Sequence, residues 1–512
     1  MAVVAEPIVE TTLGKLQGTV EDEIQVFRGI PYGDSTAGAH RFLPPRPAEA
    51  WSGVRDASEF GPLCPQLGSL VGDSLGDQRT IGPLPRLPQG EDCLVLNVWT
   101  PAVGDGGKRP VLFWLHGRGY GAGAGSEGWY TGAPLAKRGD VVVVTINHRL
   151  NVYGYLHLAD IGGERFAGSG VAGMLDAALA LEWVRDNIES FGGDPDNVTI
   201  FGESGGGAKV STLLAMPSAE GLFHRAVIQS GPAIRGVTPD DASQLAEQLL
   251  DQLGIGKHEL DKLQALPFAQ LTEAVGKLGV AAGMMRLAPV VDGSYFPAHP
   301  FDPVAATTAA NVPLMIGSNK DEAALFSATD RRRRRLTEEE LLERLERMLG
   351  DRRDEILDVY RSNRPDATPW DLYIGISSES TRLRSIQLAE RKAAGGPAPV
   401  FMYLFAYESE YLGGLFKSCH ALEIPFVFDN PDIAPFTGER PERYELAATM
   451  SRAWIAFARN GDPNYEGLAR WPTYDTQTRS TMIFDVRCVV EDDPRKEERL
   501  AWKGDPVMRL RG

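Results

Sequence analysis

The sequence predicts an α/β fold built on a mostly parallel sheet covered on both faces by helices. Two observations carry this. Short, unbroken apolar runs recur along the chain, and helical patterns separate them. Strands buried on both faces read as continuous apolar segments, and parallel neighbours need helical crossovers. A third observation concerns unity: no repeat and no linker cuts the 512 residues into independent halves.

The elements follow in chain order. "VLFWLHG" (Val111 to Gly117) reads as a buried strand running into glycines, and "VVVVTINHR" (Val141 to Arg149) as a second. "MLDAALALEWVRDNI" (Met174 to Ile188) is an Ala- and Leu-rich helix stopped by Gly192 and Gly193. "NVTIF" (Asn197 to Phe201) is a strand and "GGAKVSTLLAM" (Gly206 to Met216) a helix. "RAVIQSG" (Arg225 to Gly231), "VPLMIGSN" (Val312 to Asn319) and "PVFMYLFAY" (Pro399 to Tyr407) are further strands. The segments 238–287 and 331–391 have helical patterns and are expected to form a cap over the sheet. The run Arg331 to Arg335 reads as a solvated loop rather than an RNA-binding arm. An acidic amphipathic helix, capped through Thr337 and Glu340, follows it directly.

Composition narrows the function. A net charge of −17 disfavours nucleic acid and anionic membranes as partners. No apolar run approaches the roughly 20 residues of a membrane-spanning helix. The N-terminus has no basic leader and carries Glu6 and Glu10 early, so a cytoplasmic location is expected. The four cysteines form no CxxC pair and the eight histidines no HExxH motif, so no metal is expected.

The chemistry centres on "VTIFGESGGGAKVSTLL" (Val198 to Leu214). Gly202-Glu203-Ser204-Gly205-Gly206 fits GxSxG between a strand and a helix. There, glycines allow a strained turn that lifts the serine hydroxyl above the sheet edge. The serine then sits at a helix N-terminus, where the backbone dipole favours negative charge. A second match, Gly72-Asp73-Ser74-Leu75-Gly76, has no strand before it or helix behind it and reads as a loop. A serine hydroxyl is a weak nucleophile at neutral pH. It needs a base, a carboxylate that orients the base, and amide donors for the oxyanion. The glycine-rich "LHGRGYGAGAGS" after the strand at Val111 can supply donors. It holds neither GxGxxG nor GK[ST], which disfavours a nucleotide site.

"TTLGKLQG…VFRGIPYG", "RFLPPRPAEAWSGVRDASEFGPLCPQ", "EDCLVLNVWTP", "GGDPDNVTIFGESGGG" and "WIAFARNGDPN" span nearly the whole chain. With them the sequence resembles the type-B carboxylesterases, the α/β-hydrolases that include para-nitrobenzyl esterases, liver carboxylesterases and cholinesterases. The resemblance implies a single α/β-hydrolase domain over residues 1–512. It makes Ser204 the nucleophile and Glu203 a buried glutamate supporting a water network. Within "GSNKDE" it makes Glu322 the orienting acid, with Asp321 as the rival, and within "HALEIPFVF" it makes His420 the base. Ser204, Glu322 and His420 follow one another in the order expected for that fold. Ser230 matches a supporting serine.

The family's oxyanion hole uses the second and third glycines of "HGGG" and the amide after the serine. Here the run is His116-Gly117-Arg118-Gly119, which implicates the amides of Arg118, Gly119 and Gly205. Arg118 departs from the pattern, but an amide survives any substitution except proline. Its guanidinium is left with two readings, an ion pair with a neighbouring carboxylate or a contact with acidic substrates. Cys64 and Cys93 match a disulfide of secreted relatives, and their redox state stays open. His40, His148, His157, His224, His258 and His299 read as structural, His116 as shaping the loop, and Cys419 as packing.

The expected protein is a serine hydrolase of small-molecule carboxylic esters, without cofactor, as a monomer or homodimer. The alternatives are an amide or carbamate hydrolase with the same triad, or a non-catalytic cholinesterase-like binding domain.

Overall fold

A computed structural model describes residues 6–67, 85–278, 287–330, 332 and 335–503. The described residues hold fourteen strands. β1 (Ile8–Glu10), β2 (Lys15–Gln17) and β5 (Val54–Asp56) form a small sheet near the N-terminus. The others are β3 (Thr19–Glu21), β4 (Ile24–Pro31), β6 (Val95–Thr100), β7 (Arg109–Leu115), β8 (Val142–Ile146), β9 (Gly193–Glu203), β10 (Arg225–Gln229), β11 (Leu314–Asn319), β12 (Val400–Phe405), β13 (Ser480–Phe484) and β14 (Val489–Asp492). They make one sheet in the order β14-β13-β12-β11-β10-β9-β7-β8-β6-β4-β3. From β13 to β8 every neighbouring pair is parallel. The strands outside that block pair antiparallel.

Alternation along β7 shows how the sheet is buried. Val111, Phe113 and Leu115 enter one core, and Leu112 and Trp114 enter the other. Side chains of successive strand residues point to opposite faces, so a strand covered on both sides must be apolar throughout. The helices that matter here are α1 (Ala172–Asn187), α2 (Gly205–Leu213), α3 (Pro239–Leu253), α4 (Glu338–Leu349), α5 (Pro369–Ala394) and α6 (Glu442–Asn460). After α1 a short 3-10 turn ends at Gly192 with φ +75°, and Gly193 opens β9.

Both stretches expected to be a cap hold helices, α3 in the first and α4 and α5 in the second. α5 packs against β11 and β12, so the second stretch includes a helix of the sheet-covering layer. α4 begins with the expected capping box: Thr337 Oγ1 accepts the Glu340 N–H, and Glu340 Oε2 accepts the Thr337 N–H. Arg332 pairs with Glu340 at 3.2 Å, while Arg331, Arg333 and Arg334 lie outside the described residues. Ser74 also lies outside them. Among the described residues no helix is long and apolar enough to cross a membrane.

Candidate active site

β9 ends at Glu203 and α2 begins at Gly205, so Ser204 is the single residue at the turn. Its backbone has φ +57° and ψ −120°, a conformation that costs a residue with a Cβ of order 1–3 kcal/mol. The surroundings enforce it. The Ser204 N–H donates to the Gln229 carbonyl of β10 at 2.8 Å, and the Ser204 carbonyl accepts from Ala208 at 3.0 Å. The sequence permits the turn because the flanks lack side chains: a Cβ on Gly206 would collide with the Leu115 carbonyl of β7.

His420 lies in the loop after β12. Its Nδ1 is 2.5 Å from Glu322 Oε2, and Glu322 Oε1 accepts the Asn319 N–H at 2.8 Å. Asp321, the rival acid, faces elsewhere. Its Oδ2 accepts the Ser418 N–H, and its Oδ2 lies 3.8 Å from the Lys320 ammonium. The Nε2 of His420 lies 3.2 Å from Glu203 Oε1, and no hydrogen bond joins it to Ser204 Oγ. Burial works against the imidazolium, but Glu203 and Glu322 outweigh it and raise the His420 pKa above its ordinary value. Burial pushes Glu203 well up in turn, with His420 opposing. Three buried carboxylates crowd this imidazole, because Glu423 is also held nearby. Its pKa is pushed up to about 6 by burial and by Glu322.

The glycine-rich loop after β7 closes the other side. Arg118 and Gly119 both have φ +63°. A Cβ on Gly205 would collide with the Gly119 carbonyl oxygen and Cα, and would stand 2.5 Å from the Gly119 nitrogen. The loop backbone therefore rests directly on the elbow. The N–H groups of Gly119 and Gly205 donate to no described group. As the first residue of α2, Gly205 has no partner for its amide within the helix. The Arg118 guanidinium lies on the Glu127 carboxylate, with Nε at 3.0 and 3.1 Å and Nη2 at 2.9 Å. Glu127 is buried and also accepts the Trp129 indole N–H and the Ala124 amide. Burial opposes the Arg118 charge, and Glu127 overcomes that to raise its pKa.

The remaining expected residues fall as follows. Ser230 follows β10 with φ +49°, and its buried Oγ has no described partner, so no bond ties it to His420. Cys64 and Cys93 are buried neighbours and both are free thiols, with no disulfide between them. Hydrogen bonding to Cys64, then burial, pushes the Cys93 thiol well up. Cys419 is buried as expected, and its carbonyl accepts the Asn319 amide.

Four site residues carry roles the sequence does not announce. Asn319 and Gln229 donate to the two oxygens of Glu423, at 2.6 and 3.1 Å. The ring of Phe326 stands 5.0 Å from the His420 ring while 59% of Phe326 is exposed. Glu423 and Gln229 sit inside motifs that point to other residues, "HALEIPFVF" and "VIQSG".

Residues 5–502 match the model of the carboxylesterase family. The chain is 38% identical to the para-nitrobenzyl esterase of Bacillus subtilis (strain 168), covering 96% of this chain and 97% of that one. It is 33% identical to a phenmedipham hydrolase of Pseudarthrobacter oxydans, with 94% and 95% covered. The crystal structure of a Geobacillus stearothermophilus carboxylesterase superimposes with a TM-score of 0.83 at 42% identity, covering 97% of this chain and all of that one. With its parallel sheet, strand-to-helix serine and His–Glu pair, the chain has the α/β-hydrolase fold, belongs to the carboxylesterase family and is a carboxylic ester hydrolase.

Proposed function

We propose that Ser204 is the nucleophile, His420 the base and Glu322 the orienting acid in the hydrolysis of small-molecule carboxylic esters. Ser204 Oγ attacks the acyl carbon while His420 Nε2 takes its proton. The carbonyl oxygen becomes an oxyanion held by the amides of Gly119, Gly205 and Arg118. The ester C–O bond breaks, and the alcohol leaves with the proton from His420. Water, deprotonated by His420, then attacks the acyl-enzyme, and the acid departs as Ser204 recovers its proton. The observation that carries this is the Glu322–His420 contact beside a serine held at φ +57°. Glu203 supports the imidazole side, and the helices of 238–287 and 331–391 other than α5 shape the pocket above.

A cytoplasmic setting would keep the adjacent thiols of Cys64 and Cys93 reduced. Sedimentation will separate a monomer from a homodimer. The catalytic reading is tested with Ser204→Ala and Ser74→Ala on a short p-nitrophenyl ester. Ser204→Ala is expected to abolish turnover and Ser74→Ala to leave it intact. Turnover surviving Ser204→Ala in folded protein sinks the assignment.

A further inference from the structure

Helix α2 carries a lysine one turn beyond the serine elbow. Lys209 is fully buried, and its Nζ donates to the carbonyls of His116 and Gly119, each at 2.9 Å. The Tyr120 ring lies 5.5 Å from Nζ on another side. Among the described residues no carboxylate pairs with it. The acid whose charge reaches it is Glu127, which already holds the Arg118 guanidinium. Burial pushes Lys209 down to about 7, with Glu127 opposing. The other titratable neighbours are His116 and His148, whose rings stack at 4.8 Å. Burial first, and Lys209 second, depress both well below the ordinary histidine value.

A buried ammonium without a counter-ion is expensive, and helix stability does not call for one here. Its two partners explain it. Both carbonyls belong to the loop that carries the Gly119 and Arg118 amides. Residue 205 lies four positions before Lys209, on the same face of α2. At 205 the missing Cβ leaves the gap into which the Gly119 backbone presses. The helix thus offers a notch at Gly205 and a hook at Lys209 on one side, and the loop is caught between them.

We propose that Lys209 is a positioning residue for the oxyanion hole: its ammonium clamps the His116 and Gly119 carbonyls to the elbow helix, and its buried charge favours the negative oxygen that forms on the substrate. This rests on the reading of Ser204 as nucleophile and of Gly119 and Gly205 as donors. The clamp takes no part in bond making. It acts where charge develops, so it stabilises the tetrahedral species more than the bound ester.

The test is Lys209→Met, which keeps length and volume but removes charge and donors. For a neutral p-nitrophenyl ester, kcat is expected to fall roughly 10- to 100-fold while KM changes less than about threefold. The inhibition constant of a matching trifluoromethyl ketone, which adds to the serine as an oxyanion, is expected to rise by the same factor. Unchanged kcat and ketone affinity in a folded Lys209→Met protein overturn the clamp. So does a loss confined to KM. If wild-type enzyme forms no ketone adduct, the nucleophile reading fails first and the clamp falls with it. Should Lys209→Met not fold, wild-type protein labelled with ¹³C at the lysine ε-carbons decides. The lowest-titrating lysine is expected to rise by about one pKa unit, a tenfold coupling, when the ketone adds. A titration unmoved by the adduct overturns the proposal.

Discussion

At the residue scale the site is governed by one imidazole among three buried carboxylates. Glu322 binds Nδ1, Glu203 lies against Nε2, and Glu423 stands behind Glu322. A carboxylate near an imidazole favours the protonated ring, so the pair titrates above the ordinary histidine value of about 6.5. His420, as the proposed base, is inactive when protonated. kcat/KM is therefore expected to rise with pH, along an acid limb whose apparent pKa exceeds about 6.5. Glu203→Gln removes one raising charge, so the limb is expected to shift to lower pH by about one unit. A limb left in place by Glu203→Gln contradicts the coupling between Glu203 and His420. Much of this site was legible in the sequence, because "GESGGG", "GSNKDE" and "HALEIPFVF" each mark a residue. The sequence points to Glu322 with Asp321 as its rival, and the structure separates them because adjacent acids in a loop point in directions that only the backbone decides. Lys209 was invisible for a related reason: within "GGAKVSTLL" a lysine reads as the solvent face of a helix, and only the loop packed over α2 buries it.

At the scale of elements, the loop after β7 shows how a departure from a glycine pattern is absorbed. Arg118 occupies left-handed backbone, where a Cβ is disfavoured, and its side chain is neutralised by Glu127 within the same loop. With its charge already matched, the guanidinium has no preference to impose on a substrate. Arg118→Gly is expected to change kcat/KM equally for a neutral ester and for a matched ester bearing a free carboxylate. A loss selective for the acidic ester contradicts the ion-pair role. The same substitution leaves Glu127 buried without its guanidinium, so stability is expected to drop by about 3–5 kcal/mol despite the relief of backbone strain. The elements themselves were read with uneven success. β7 to β12 announced themselves as apolar runs. β3, β4 and β14 did not, because they are edge or near-edge strands with mixed exposure, and β13 did not because it opens on the polar Ser480 and Thr481. β6 is buried throughout but carries Asn97, whose amide serves Gly29 and Thr145 across the sheet, and that polar residue breaks the apolar signal.

For the whole molecule, one buried pair ties three regions together. Arg149, in the loop after β8, forms a two-pronged ion pair with Asp176 of α1, its own N–H donates to Asp176, and Nη1 donates to the Leu43 carbonyl of the N-terminal segment. Both side chains are essentially without solvent contact. Arg149→Met fills the space but strands the Asp176 charge, which is expected to cost about 3–5 kcal/mol in urea unfolding. A change under about 1 kcal/mol means that the pair does not hold sheet, helix and N-terminal segment together. The parallel sheet and the serine elbow were readable in advance because each is encoded locally. Ties of this kind were not, since an arginine after one strand and an aspartate on a distant helix give no joint signal.

The central claim, that Ser204 is the nucleophile of this ester hydrolase, is tested most directly by where an organophosphate attaches. Folded, active protein is treated with a fluorophosphonate, digested, and mapped by mass spectrometry. The expected result is one adduct per chain on Ser204, within the peptide spanning Val198 to Leu214, formed in step with loss of activity. An adduct on Ser74 or Ser230 that tracks inactivation, or inactivation without any label on Ser204, contradicts it.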